Sequence, residues 1–153
     1  MILTTHALAG AAIGKTFDNP WAIIALSVII HFFLDTFRHG EYLNRKSGIK
    51  EVLRKVLIDL SAGIGAVLFI TLAAKDMALE KIYHIFLGSF FSMFPDLLTF
   101  LYWKLNITSL KKIFEFHGRI HKHPQGSKER AWTFRNSMND IIFSIIAIAI
   151  LLF

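Results

Sequence analysis

The chain of 153 residues has no cysteine, three prolines and nine glycines, and its acids are outnumbered 11 to 17 by lysine and arginine. The missing cysteine excludes disulfides, thiolate metal sites and a cysteine nucleophile, and says nothing of compartment. No glycine-rich phosphate loop occurs, so nucleotide binding of that kind is not expected. Strict apolar–polar alternation, the mark of a membrane β-barrel, is also missing. There is no internal repeat and no low-complexity tract. Ala7-Leu8-Ala9 has the outline of a signal-peptidase site, but neither a basic stretch nor an apolar run precedes it, so no cleavage is expected.

What the chain has in quantity is apolar residues, at 54% with 15 phenylalanines, and a mean hydropathy of +0.51. Soluble domains lie nearer ~45–50% apolar, and here the apolar residues gather in blocks. The expectation is an all-α, polytopic membrane bundle forming one domain over 1–153. It would have about four to five membrane helices plus an amphipathic surface helix. A net charge of +6 would suggest nucleic acid in a soluble chain. In an apolar one it reads as basic loops against anionic lipid, and no nucleic-acid partner is expected.

The first helix starts at Thr4 or Thr5, either of which can cap it, and runs to about 17. It carries a small-residue face of Ala7, Gly10, Ala11 and Gly14, suited to close packing and to a homodimer. Asp18-Asn19-Pro20 breaks it, and Pro20 opens a second helix to about 38. A basic loop covers 40–50 and a third helix covers about 51–74. Lys75-Asp76 makes a turn before a fourth helix over about 79–105, whose Pro95 predicts a kink just before Asp96. Tyr102, Trp103 and Lys104 read as an interface belt. Residues 109–123 read as a surface helix with Ile113, Phe114 and Phe116 toward lipid and Lys111 and Lys112 toward headgroups. After a loop over 124–129, the last helix begins near Trp132 and runs to the end.

Only Lys15, Lys75 and Lys81 of the 17 basic residues fall outside the stretches 38–55 and 104–135. The positive-inside rule then places both long loops in the cytoplasm. On that assignment six of the seven histidines, all but His84, share the cytoplasmic layer with Asp35, Asp59, Asp96 and Asp140. A charged group within a bilayer costs several kcal/mol unless paired or bound. Four aspartates and six histidines at one depth therefore point to one ion site. Asp59 and Asp140 read equally well as outer support for that site or as partners of backbone, arginine or asparagine. His84 reads as packing or interface, and His123 as solvated.

The centre of that layer is His31-Phe-Phe-Leu-Asp35-Thr-Phe-Arg38-His39. Steps of four residues on a helix keep His31, Asp35 and His39 on one stripe. Two imidazoles and a carboxylate suit a borderline divalent ion, zinc first, with manganese, iron or magnesium as the others. The plainer alternative is a His31–Asp35 hydrogen bond with His39 in water.

Thr5-His6-Ala7, then HxxxDxxxH, then Phe94-Pro95-Asp96, then His117-x3-His121 resemble the YdjM-like inner-membrane metal-dependent hydrolases, themselves distantly similar to zinc-dependent phospholipase C. The resemblance covers roughly 4–121. It implies His6, His31, Asp35, Asp96, His117 and His121 as metal ligands, with His39 close by. Two departures stand out. The later motif reads His117-Gly118-Arg119-Ile120-His121-Lys122 rather than HRGxTHS, and Leu97 and Leu98 follow Asp96 where a second acid is usual. Fewer carboxylates imply one metal rather than two or three, or a member that has lost activity.

The expected function is a membrane-embedded metal-dependent hydrolase, phospholipase-like, cleaving a lipid phosphoester at the cytoplasmic leaflet. The metal would activate a water, Asp35 or Asp96 would act as general base, and Arg38, Lys112 and Arg119 would hold phosphate oxygens. The substrate class follows from the resemblance and the basic rim. The alternatives are a divalent-metal or proton transporter using the same His/Asp cluster, or a non-catalytic metal- or lipid-binding membrane protein. Haem fits less well, because the nearby carboxylates suit a harder cation.

Overall fold

Helix α1 (Leu3–Thr16) is the axle of the fold. Around it stand α2 (Pro20–Asp35), α3 (Ile49–Ala73), α4 (Leu79–Leu105) and α6 (Phe134–Leu152), and α5 (Lys111–Ile120) lies across the end of α4. The computed structural model describes residues 1–43, 47–74, 77–123 and 126–153, and no strand occurs among them. The turn expected at 75–76, and parts of the loops expected over 40–50 and 124–129, lie outside the described residues.

Three helices, α3, α4 and α6, are long and apolar enough to cross a membrane, whereas α2 is apolar but shorter. At 1.5 Å per residue α3 and α4 extend roughly 40 Å, more than the ~30 Å of a hydrocarbon core. Their outer faces, and that of α6, expose Phe69, Leu72, Leu79 and Ile145. Water would penalise such surface and lipid does not.

The place of α1 follows from its small side chains. Eight of its 14 residues are buried, and a helix covered on every side must let its neighbours approach closely. Gly10 and Gly14 face α4, where a Cβ on Gly10 would strike the Gly88 carbonyl and the Ser92 Cβ. The small-residue face expected to receive a second copy is thus covered within the chain. Leu8, Ala11, Val67, Ile85, Ala147 and Leu151 complete the apolar core.

Neither threonine caps α1. Its N-cap position is Ile2, with no side-chain bond, and acids from other helices take the free amides. Asp59 of α3 accepts from Leu3 N (2.7 Å) and Thr4 N (3.0 Å), and Asp140 of α6 accepts from Ile2 N (3.1 Å). Carboxylates there also complement the positive end of the helix dipole.

The second helix opens as expected, with Asn19 accepting from the Trp21 and Ala22 amides ahead of Pro20. It stops at Asp35, three residues earlier than expected. The Thr36 hydroxyl turns back to Phe33 O (2.7 Å), a local bond that competes with helix continuation, and His39 leaves the helix. The third and fourth helices both lean on α1 but scarcely meet each other, so a cleft remains between them. The helix α5 also corrects its forecast. Phe114 packs inward on Tyr102 with ring centroids 4.6 Å apart, and His117 is buried. Ile113 and Phe116 stay exposed.

Candidate metal centre

Asp35 is the hub. It closes α2, where the helix dipole is negative and no basic residue compensates, so its buried carboxylate needs positive charge from elsewhere. Five histidines reach its surroundings. Oδ2 lies 2.8 Å from His117 Nε2, 3.3 Å from His31 Nε2 and 3.7 Å from His121 Nε2. Oδ1 lies 3.3 Å from His6 Nε2 and accepts from the Met1 amine at 2.5 Å. His39 joins through His121, with ring centroids 5.1 Å apart. Asp96 closes the other side, 3.7 Å from His117 Nε2 and 3.9 Å from His6 Nε2.

The ring orientations are set from behind. His31 Nδ1 lies 2.7 Å from the Ser92 carbonyl, which forces Nδ1 to carry the proton and leaves a bare Nε2 in the neutral ring. Pro95 loosens this turn of α4 by removing one amide. His117 Nδ1 meets the Thr99 hydroxyl at 2.8 Å, and His39 Nδ1 donates to Phe37 O at 2.8 Å. Bonds of this kind on the far nitrogen orient a metal-binding imidazole. Among the described residues neither nitrogen of His6, a fully buried ring, makes a hydrogen bond, and Nε2 has only its ion-pair contacts with Asp35 and Asp96.

Lone pairs therefore converge. His31 Nε2 and His117 Nε2 stand 3.4 Å apart beside two carboxylates, an arrangement that repels itself unless a proton or metal cation sits among the donors. One donor from each of His31, Asp35, Asp96 and His117 lies within 4.8 Å of the others, and Asp35, His39 and His121 form a second such group. Bonds of about 2.1 Å to a common ion place donors up to about 4.2 Å apart, so a small contraction suffices. Nitrogen and carboxylate donors in this ratio fit a borderline divalent cation.

Outside the spanning helices the charge states are set by surroundings. Burial pushes His39 down to about 3, helped by the nearby Met1 ammonium. Burial also pushes His121 down to about 4. Both rings are neutral at pH 7 and ready to donate. For His117 burial acts downward, but the hydrogen bond to Asp35 and the charge of Asp96 outweigh it and raise its pKa.

All seven expected ligands, His6, His31, Asp35, His39, Asp96, His117 and His121, come together here, with His39 arriving from a loop rather than a helix stripe. Asp59 and Asp140 stand one step away, holding the start of the helix that carries His6. The expected phosphate-binding residues do not gather as a group. Arg38 Nε donates to Asn136 Oδ1 at 2.5 Å and ties the loop after α2 to α6. Lys112 and Arg119 are exposed on α5 and do not line the cleft; the basic residues lining it include Lys122 and Arg130. Arg130 pairs with Glu41, and its buried Nε has no partner among the described residues. The sequence holds a signal for Thr99, one helical turn after Asp96, but none that brings Arg130 to Glu41.

No family model, curated protein or solved structure matches this chain.

Proposed function

We propose that this chain is a multi-pass inner-membrane protein of four to five membrane helices, and a metal-dependent hydrolase of lipid phosphoesters with its site toward the cytoplasmic leaflet. The observation that carries the metal is the set of inward-facing Nε2 atoms whose partner nitrogens are held by Ser92 O, Thr99 and Phe37 O. The motif resemblance to YdjM-like hydrolases and a largely apolar cleft that reaches the His/Asp cluster support the rest.

His6, His31, Asp35 and His117 would hold the ion, with His39 and His121 beside them, and zinc suits this donor set best. Bound there, a divalent cation supplies Lewis acidity and makes a coordinated water easier to deprotonate. Asp35 is 1% exposed and surrounded by imidazoles, which assigns it to ligation. Asp96, with 29% of its side chain exposed, borders the cleft and is the better base. It would take a proton as water oxygen adds to phosphorus. The phosphorus–oxygen bond to the leaving alcohol breaks, and the alcohol regains a proton. Lys122 and Arg130, in place of Lys112 and Arg119, would steady the phosphate.

The test is turnover of phospholipid and lipid-phosphate vesicles by metal-loaded protein. Activity is expected to vanish with a chelator, return with zinc, and fall by about 100-fold or more in Asp96→Asn. Absence of turnover over a broad lipid panel, with metal bound, would leave a non-catalytic metal- or lipid-binding protein.

One observation favours a second reading, a proton or divalent-metal path. Ser27 Oγ of α2 and Ser92 Oγ and His84 Nδ1 of α4 are buried and have no hydrogen-bond partner among the described residues. That reading predicts flux in liposomes that His84→Phe abolishes.

A further inference from the structure

Among the described residues, none fills the cleft between α3 and α4. Leu53, Leu57, Leu60 and Ile64 form one stripe of α3, at the three-, four- and seven-residue steps of an apolar helix face, and they line the cleft. Phe90, Phe94, Leu97 and Phe100 form the facing stripe on α4. In a closed bundle two such stripes would pack together. Here α1 holds the helices apart, and Leu57 and Leu97 remain exposed across a cavity of about 1180 Å³. That volume exceeds the ~300–1,000 Å³ of ordinary small-molecule pockets.

Plain contact with bulk lipid does not account for it, because the same cavity is lined by Asp35, Asp96, His117 and His121. A purely lipid-facing surface would not open onto two carboxylates. The cavity is amphipathic: its apolar walls meet a polar patch at Asp35, Asp96, His117 and His121. On α4 the wall from Phe90 to Trp103 extends roughly 20 Å at 1.5 Å per residue, with Asp96 and Thr99 lining it near the middle. Lys122 and Arg130 add positive charge beside the polar patch, with Arg130 paired to Glu41.

We propose that the α3–α4 cleft is a chain slot for a single membrane lipid with an anionic phosphate head, which enters sideways between the two helices and lays its head against the His/Asp cluster. This rests on the membrane placement and site assignment proposed above, and it does not require the hydrolytic step. Leu57 and Leu97 form the walls past which the chain enters. Lys122 and Arg130 select an anionic head, while the cluster sets where the chain stops.

The probe is a phosphatidic acid with a photoactivatable diazirine in its acyl chain, mixed into phosphatidylcholine vesicles holding the full-length protein. Labelling is expected on the facing stripes of α3 and α4 rather than on the outer faces of α3 and α6. Unlabelled phosphatidic acid should compete at least tenfold better than phosphatidylcholine. Glycerol phosphate should not compete, which separates a lipid head from free phosphate. Leu57→Trp and Leu97→Trp should each cut labelling several-fold while metal content stays at the wild-type value, which also reports that the variants fold. His31→Ala should lose metal and keep labelling. Even labelling over all lipid-facing helices, or wild-type labelling in both tryptophan variants, overturns the slot. If the slot labels as expected and the protein holds no metal, the slot stands and the hydrolase reading falls.

Discussion

Asp35 Oδ2 accepts a hydrogen bond from His117 Nε2 at 2.8 Å, joining the end of α2 to α5 across 82 positions of sequence. This contact closes the cluster, because His117 is the histidine that α5 brings onto Asp35. It also sets a proton where a metal would bind. The raised pKa of His117 means that the protonated ring stabilises the metal-free fold at low pH, a contribution lost as pH rises through the raised value.

Metal binding should therefore displace about one proton near neutral pH. His39 and His121, held down to about 3 and about 4, have none to release. Affinity is expected to rise with pH until His117 has titrated, then level off. Calorimetry in buffers of different ionisation enthalpy reads the proton count, and His117→Gln should remove it. A pH-independent affinity would contradict the assignment.

Thr99 would act on a bound metal through His117 Nδ1, 2.8 Å away. Thr99→Val keeps the shape and removes the hydroxyl. Metal affinity is expected to fall by about 10–100-fold, with unchanged helix content and thermal midpoint. Chelator competition measures it, and unchanged affinity would mean that the hydroxyl does not orient the ring.

The α1–α4 contact tolerates no added atoms, since a Cβ on Gly10 meets the backbone of Gly88, which cannot rotate away. Gly10→Leu should destabilise by about 3 kcal/mol or more and show a lowered melting temperature in detergent. Gly65, in α3, has open space around a would-be Cβ. Gly65→Ala should be neutral or stabilising by up to about 1 kcal/mol. Equal behaviour of the two variants would contradict the packing.

Asp59 receives two amides of α1, the Thr4 hydroxyl and the Tyr42 phenol. Asp59→Ala should cost roughly 2 kcal/mol, as a lost cap does, yet leave metal stoichiometry intact. Loss of metal at full stability would make Asp59 a ligand.

Much of this was legible in the sequence. Helical character followed from the apolar blocks, and the bounds of α4 matched the forecast. The pair His31 and Asp35 needed only helical spacing, and the small-residue face of α1 announced close packing. The partner of that face was not legible, because glycines suit a neighbouring helix of the same chain and a second copy equally. His39 was misplaced because the end of α2 depends on where Thr36 turns back, a choice of a few tenths of a kcal/mol per residue that spacing does not encode. The α3–α4 cleft could not be foreseen, since an apolar stripe looks the same facing protein, bulk lipid or a bound chain. That Lys112 and Arg119 would stand off the cleft was not legible for a similar reason: depth along a helix says nothing of which side an arginine takes.

The central claim is a divalent metal held by Asp35 and its histidines. The most direct measurement is metal content by mass spectrometry on protein purified in detergent, for wild type, His31→Ala, Asp35→Ala and Asp59→Ala. The account predicts at least one zinc, manganese or iron per chain, lost in the first two variants and kept in the third. No transition metal after loading, or the same content in all four proteins, would contradict it and leave the cluster to the proton-path reading.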